Sequence, residues 1–188
     1  MGYARDEKFD HWSSAPFRGL KRDIYEGGHH VPFVVRWPGV TKPGSVSDAL
    51  VSQIDLMATI ASTVGYELPD KNAAEDSHDL LPLLKGLSKD AIRTTHIHNT
   101  KKDNYAIRHH EWLLIESKTG YVSGRNDAWE KKHGYEKDDQ SPVELYNFKT
   151  DPQQRKNLAA ENPEKVKELS ALLKKIRDQG YSAPRLEK

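Results

Sequence analysis

The run Val31-Pro32-Phe33-Val34-Val35-Arg36-Trp37 constrains this chain more than any other segment. It is β-branched or aromatic almost throughout and reads as a short strand buried on both faces. Gly27-Gly28 just before it permit backbone angles that other residues avoid, and Pro38-Gly39 and Pro43-Gly44 after it are turns. A strand of that kind needs neighbours on both sides, and few candidates lie nearby in the chain. The segment therefore implies a partner surface that is missing from these residues.

The rest of the chain divides by texture. Met1 to Phe17 is polar with scattered aromatics and reads as a loop. Ile54, Met57, Ala58, Ile60, Ala61 and Val64 recur at helical spacing, with Ser52 as N-cap and Gly65 just past the end. Residues 70–79 are a polar loop, and Leu80-Leu81-Pro82-Leu83-Leu84 is a short apolar anchor closed by Gly86. From Thr94 onward the pattern is of short strands: Thr94–Asn99, Tyr105–Arg108 and Trp112–Ser117. The last two are separated only by His109-His110-Glu111 and read as an antiparallel hairpin. Residues 118–142 read as a long surface loop, and Val143–Phe148 as an edge strand. Asn162 caps a final helix with Pro163 at its first position and Gly180 at its end. Its single stripe of Val166, Leu169, Leu172, Leu173 and Ile176 is suited to lying on a sheet.

Charge narrows the partners. Lys plus Arg number 29 against 28 Asp plus Glu, a net charge of +1. No global field draws the chain to nucleic acid or an anionic membrane, so neither is expected as a partner. No apolar run approaches the ~20 residues that span a bilayer. Met1-Gly2-Tyr3-Ala4-Arg5-Asp6 has no apolar region of the kind a signal peptide carries. The chain has no cysteine, which excludes disulfides, thiolate metal sites and cysteine nucleophiles.

Three collinear segments resemble the C-terminal third of the sulfatase family. The first is Arg18-Gly19-Leu20-Lys21 through Tyr25-Glu26-Gly27-Gly28 to Val31-Pro32 and Trp37-Pro38-Gly39. The second is Val51-Ser52-Gln53-Ile54-Asp55-Leu56 through Thr59-Ile60, then Leu68-Pro69 and the leucine anchor ending at Lys85-Gly86. The third is Tyr105-Ala106-Ile107-Arg108, Trp112, Glu144-Leu145-Tyr146-Asn147-Phe148 and Asp151-Pro152 to Asn157-Leu158-Ala159. The resemblance implies an α/β (α+β) fragment. Residues 1–90 would be the end of the alkaline-phosphatase-like large domain, and 91–188 a small C-terminal subdomain with an antiparallel sheet packed on a helix.

The family hydrolyses sulfate esters with a formylglycine, made from Cys or Ser in a Cys/Ser-x-Pro/Ala-x-Arg motif, and a calcium ion held by Asp and Asn. This chain has no such motif, and it lacks the acidic pair and the Asp-Asn-Gly segment that accompany it in the family. The expectation is a sulfatase fragment that binds no cofactor or metal itself and is inactive alone. Calcium and formylglycine would belong to the complete enzyme. Its partners would be a sulfated small molecule or glycan, together with the missing N-terminal portion or a second copy of itself. The family suggests a periplasmic or secreted location. Two alternatives stay open: a phosphonate or phosphate ester hydrolase fragment of the same superfamily, and a non-catalytic module that binds sulfated glycan.

Lys21 is the catalytic candidate. It lies four residues before Tyr25-Glu26-Gly27-Gly28, where sulfatases place a lysine that contacts sulfate, and an ammonium there stabilises charge building on the ester oxygens. His30, His96 and His98 are the substrate-binding candidates. His30 stands where the family carries an arginine. His96-x-His98 places two imidazoles on one face of a strand, a spacing that serves packing, a pocket rim or a zinc ion. Asp55 is expected to pin the start of its helix.

Overall fold

A four-stranded sheet whose later strands bury consecutive residues, and so both faces, organises this protein. The computed structural model describes residues 8–68, 73–122, 124, 126–137 and 141–183. The readings made above for residues 1–7, 69–72 and 138–140 lie outside the described residues. The strands are β1 (Thr95–Asn99), β2 (Tyr105–His109), β3 (Trp112–Ile115) and β4 (Glu144–Asn147), in the order β1-β2-β3-β4. β2 pairs antiparallel with β3, and β3 with β4. The connection between β2 and β3 is two residues long, His110-Glu111, and His110 takes a left-handed backbone (φ 52°) to close it.

Register sorts the side chains onto two faces. Ile107, Leu114 and Leu145 line up across three strands and are fully buried. Trp112 shares their side of β3, and Lys165 of helix α4 (Pro163–Gln179, numbered below) lies 6.0 Å from its ring. The other face carries Ala106, Leu113, Ile115 and Tyr146, which join Leu20, Ile24, Tyr25, Tyr121, Trp129 and Tyr135 in one core. Segment 18–28 therefore belongs with a sheet that begins some 70 residues later in the chain.

The helices are α1 (Leu56–Thr63), α2 (Leu81–Leu84), α3 (Asp127–Lys132) and α4. A 3-10 turn, Gln53–Asp55, leads into α1. The expected long loop at 118–142 contains α3, whose N-cap Asn126 accepts a hydrogen bond from the Trp129 amide at 2.9 Å. Burying Trp129 in the core gives this polar stretch a reason to be helical.

The chain forms two compact units: residues up to 31 with 97–174, and residues 32–96 with those from 175 onward. In the second, the expected buried strand at 31–37 is absent. Residues 31–37 hold no regular structure, and Val34 is 89% exposed. Its apolar side chains are left largely at the surface, Val31 and Phe33 among them. Among the described residues, no strand lies beside it to complete a ladder.

Candidate functional site

Lys21 stands at the tip of a tight turn. The Asp23 amide donates to the Leu20 carbonyl at 2.8 Å, and Arg22 adopts a left-handed backbone (φ 85°). The buried Asp23 carboxylate ties the turn at two points, accepting from the Leu20 amide at 2.9 Å and from the Val122 amide at 2.7 Å. The Thr100 hydroxyl donates to the Arg22 carbonyl, and the Ile24 amide donates to Gly120 at 2.9 Å. The backbone of residues 20–24 is thus held from three sides while the Lys21 side chain is exposed.

Gly27 and Gly28 serve this turn through lack of room rather than unusual angles. A Cβ on Gly28 would lie 1.9 Å from the Asp23 carbonyl oxygen, and one on Gly27 would lie 2.5 Å from that of Gly19. No side chain fits between these backbone segments.

Beneath the turn, Arg18 is 4% exposed and fully engaged. Its guanidinium donates to Tyr121 Oη (3.0 Å), Tyr146 Oη (2.8 Å) and the Gln154 carbonyl (3.1 Å), and forms an ion pair with Glu130 at 2.6 Å. The same group lies 4.2 Å from the centre of the Tyr25 ring, a cation–π contact in a desolvated setting. Tyr25 Oη donates to Glu144 at 2.9 Å, and the Gly120 amide donates to both Tyr25 Oη (3.0 Å) and Glu144 (3.1 Å). Burial pushes Glu144 up to about 7, because the charged form is poorly solvated there. Burial also drives the Tyr25 and Tyr146 phenols well above their ordinary value, so both stay protonated.

The histidine candidates take three different environments. His98 Nε2 meets the Ile24 carbonyl at 3.0 Å, so that nitrogen carries the proton and donates, and its ring packs 4.0 Å from His29. Burial lowers its pKa, and it is neutral at pH 7. His30 is exposed, its Nδ1 within hydrogen-bond distance of Glu26 at 2.7 Å, and stacked on Phe17 with ring centroids 4.3 Å apart. Lys21, His30 and His98 all belong to the first unit. His96 belongs to the second and accepts from Arg93 Nη1 at 3.2 Å.

Arg93 is the centre of that second cluster and was not singled out in the sequence. It is 1% exposed and grips Asp55 with Nε and Nη2 while also donating to the Asp76 carbonyl at 2.7 Å. Asp55 also accepts from the amides of Ser52 (2.7 Å) and His78 (3.0 Å), which meets the expectation that it pins the helix start. Arg18, Glu144 and Gly120 likewise carry no sequence signal of their cluster beyond the motif residues around them. Among the described residues, no group of three or more His, Asp or Glu is arranged to hold a metal ion. Among the described residues, then, none forms a ligand set for the calcium that the family resemblance implies.

Comparison with known proteins gives consistent results. Residues 19–179 match the family model of the N-sulphoglucosamine sulphohydrolase C-terminal region. The chain is 34% identical over 183 residues to an N-acetylgalactosamine-6-O-sulfatase of Bacteroides thetaiotaomicron, covering 94% of this chain and 33% of that protein. It is 27% identical over 159 residues to arylsulfatase K of Xenopus laevis, covering 84% of this chain and 28% of that one. A solved structure from work on glycosaminoglycan metabolism by Bacteroides thetaiotaomicron superposes with a TM-score of 0.73 at 30% identity, covering 93% of this chain and 35% of that chain. The chain therefore spans about a third of the length of the relatives it matches.

Proposed function

We propose that this chain, which belongs to the sulfatase family and matches its C-terminal region, supplies the substrate side of a sulfate-ester hydrolase, with Lys21 contacting the sulfate. The observation that carries the reading is the Lys21 turn. The backbone that carries this exposed side chain is tied at Leu20, Arg22, Asp23 and Ile24, so the lysine's attachment point is held in place while its stem can reach an anion. In hydrolysis the ammonium would stabilise negative charge building on the ester oxygens as the S–O bond breaks. The substrate class is a sulfated glycan, supported by the N-acetylgalactosamine-6-O-sulfatase relative. His30, His96 and His98 remain proposed substrate contacts. His30 is the one of the three that is exposed, and a neutral His98 would contribute shape and not charge.

The chain by itself does not turn over in this reading, because it has no cysteine and no serine in the formylglycine motif. Nucleophile and calcium would come from the rest of the fold, as a preceding segment or a partner that packs against these residues. The exposed apolar residues Val34, Met57, Ile60 and Val64 are suited to dock such a partner. The test is an NMR titration of the chain with inorganic sulfate. Amide shifts should centre on residues 20–24 and vanish in Lys21→Ala, and a chromogenic aryl sulfate with calcium should give no turnover. Sulfate shifts that survive Lys21→Ala would remove the lysine from the site, and turnover would mean a nucleophile lies within these residues.

A further inference from the structure

The Lys21 turn hangs on a chain of hydrogen bonds that begins at a buried carboxylate. Glu144 Oε1 accepts from Tyr25 Oη and Oε2 from the Gly120 amide. The Gly120 carbonyl accepts from Ile24, and Val122, two residues on, donates to Asp23, whose second oxygen holds Leu20. Gly120 has no room to be anything else, since a Cβ would lie 2.7 Å from the Tyr25 ring. We propose that Glu144 is a positioning residue for Lys21, whose carboxylate, by taking both the Tyr25 hydroxyl and the Gly120 amide, sets the seat of the Leu20–Asp23 turn. This rests on the reading of Lys21 as the sulfate contact.

The arrangement is sensitive to a single proton. The Gly120 N–H can only donate, and it already donates to Tyr25 Oη as well as to Glu144. When Glu144 is ionised, the tyrosine proton has an acceptor. A protonated Glu144 sets its new O–H against one of the two donors it now accepts, the Tyr25 hydroxyl at Oε1 or the Gly120 amide at Oε2, and so weakens one of these contacts. A weakened buried donor is unfavourable, so Tyr25, Gly120 and the turn they support respond to that proton.

The charged and titratable groups facing Glu144 do not hold it ionised outright. Arg18 is nearest in effect, but it is engaged at 2.6 Å by Glu130, and Tyr25, Tyr121 and Tyr146 are neutral phenols. A cavity of about 10 Å³, the size of one water, adjoins Glu144 and is also lined by Lys118 and Glu136, giving the proton a way in. Glu144 changes charge near neutral pH, with burial as the main cause.

The experiment is an NMR pH titration of the 188-residue chain from about pH 5.5 to 8.5, following the amides of Lys21, Arg22, Ile24 and Gly120. They should move together with one midpoint near 7, and that titration should be lost in Glu144→Gln, which keeps the shape and removes the charge. In Tyr25→Phe, Gly120 should still titrate while the Lys21 and Arg22 response shrinks. A shared midpoint that persists in Glu144→Gln would overturn the proposal and assign the effect to His98, which holds the Ile24 carbonyl. Movement of Gly120 without Lys21 would also overturn it. Inorganic sulfate titrations at pH 6 and 8 keep the two readings apart. Sulfate shifts unaffected by Lys21→Ala refute the lysine contact, whereas a Glu144-dependent shift of the Lys21 amide is read without any sulfate present.

Discussion

The sheet unit and helix α1 follow opposite rules of burial. In the sheet unit, Ile107, Leu113, Leu114, Ile115 and Leu145 are all but sealed from solvent, and its buried charges are ringed by tyrosines. In α1 and the turn before it the pattern is inverted. Asp55 is 0% exposed and Thr59 5%, whereas Met57 is 53% exposed, Ile60 60% and Val64 70%. The polar residues face inward because each has partners: Asp55 has Arg93, Ser52 and His78, and Thr59 Oγ1 donates to the Asp55 carbonyl and accepts from the Leu80 amide. The apolar residues face outward at a helical spacing that makes one stripe. A helix whose polar side is sealed and whose apolar side is open keeps one face available for further packing.

Removing the buried cations should break both regions, and by similar amounts. Arg18→Ala takes the counter-charge from the buried Glu130, which keeps the Tyr121 hydroxyl, and Arg93→Ala leaves Asp55 with backbone amides. Each should cost about 3–5 kcal/mol in urea unfolding, because a buried carboxylate loses its counter-charge. The sheet unit should lose tyrosine near-UV signal in Arg18→Ala, and the α1 unit should keep its structure in that variant. A loss below about 1 kcal/mol for either arginine would mean that its cluster is solvated in solution.

A smaller effect belongs to the sheet unit alone. Burial raises Glu144 from 4.5 to about 7, so the folded protein holds a proton that the unfolded chain releases. The stability this contributes is complete below about pH 4.5, is lost as pH rises through about 7, and changes no further above that. The loss is about 3 kcal/mol, from 1.36 kcal/mol per unit of pKa. His98 works in the other direction, since a depressed histidine pKa favours the fold as pH rises towards 6.5. The difference between the wild-type and Glu144→Gln stability curves isolates the carboxylate. Parallel curves would show that Glu144 titrates like a solvent-exposed glutamate.

How much of this was legible depended on the range of the interactions. The β2–β3 hairpin and α4 could be read because their signals are local: two strands three residues apart, and a helix framed by Asn162-Pro163 and Gly180. Lys21 was singled out through its spacing to Tyr25-Glu26-Gly27-Gly28, and its role stays a proposal. The Arg18 cluster was not, because Arg18, Gly120, Glu130 and Glu144 come from segments about 100 residues apart and share no period. The run at 31–37 misled for a related reason. Hydrophobicity reports what a segment is made of, but not whether a neighbouring strand is there to pair with it. Arg93, lone and flanked by Ile92 and Thr94, carried no sign that it would seal Asp55.

The smallest expected effect separates the two regions most cleanly. Met57→Lys with Ile60→Lys puts two charges on the open stripe of α1, where neither side chain has a packed environment to lose. The unfolding free energy should change by no more than about 0.5 kcal/mol, as for ordinary surface substitutions. Leu114→Lys, the same chemistry on the sealed face of the sheet, should prevent folding, since a buried ammonium there has no partner. The double lysine variant should also run as a smaller species than wild type on size-exclusion chromatography, because the open stripe promotes association. A stability loss of more than about 2 kcal/mol would mean that α1 packs its apolar side within this chain. An unchanged elution volume at high concentration would mean that the stripe is tolerated in water, and the case for a docking partner would fall with it.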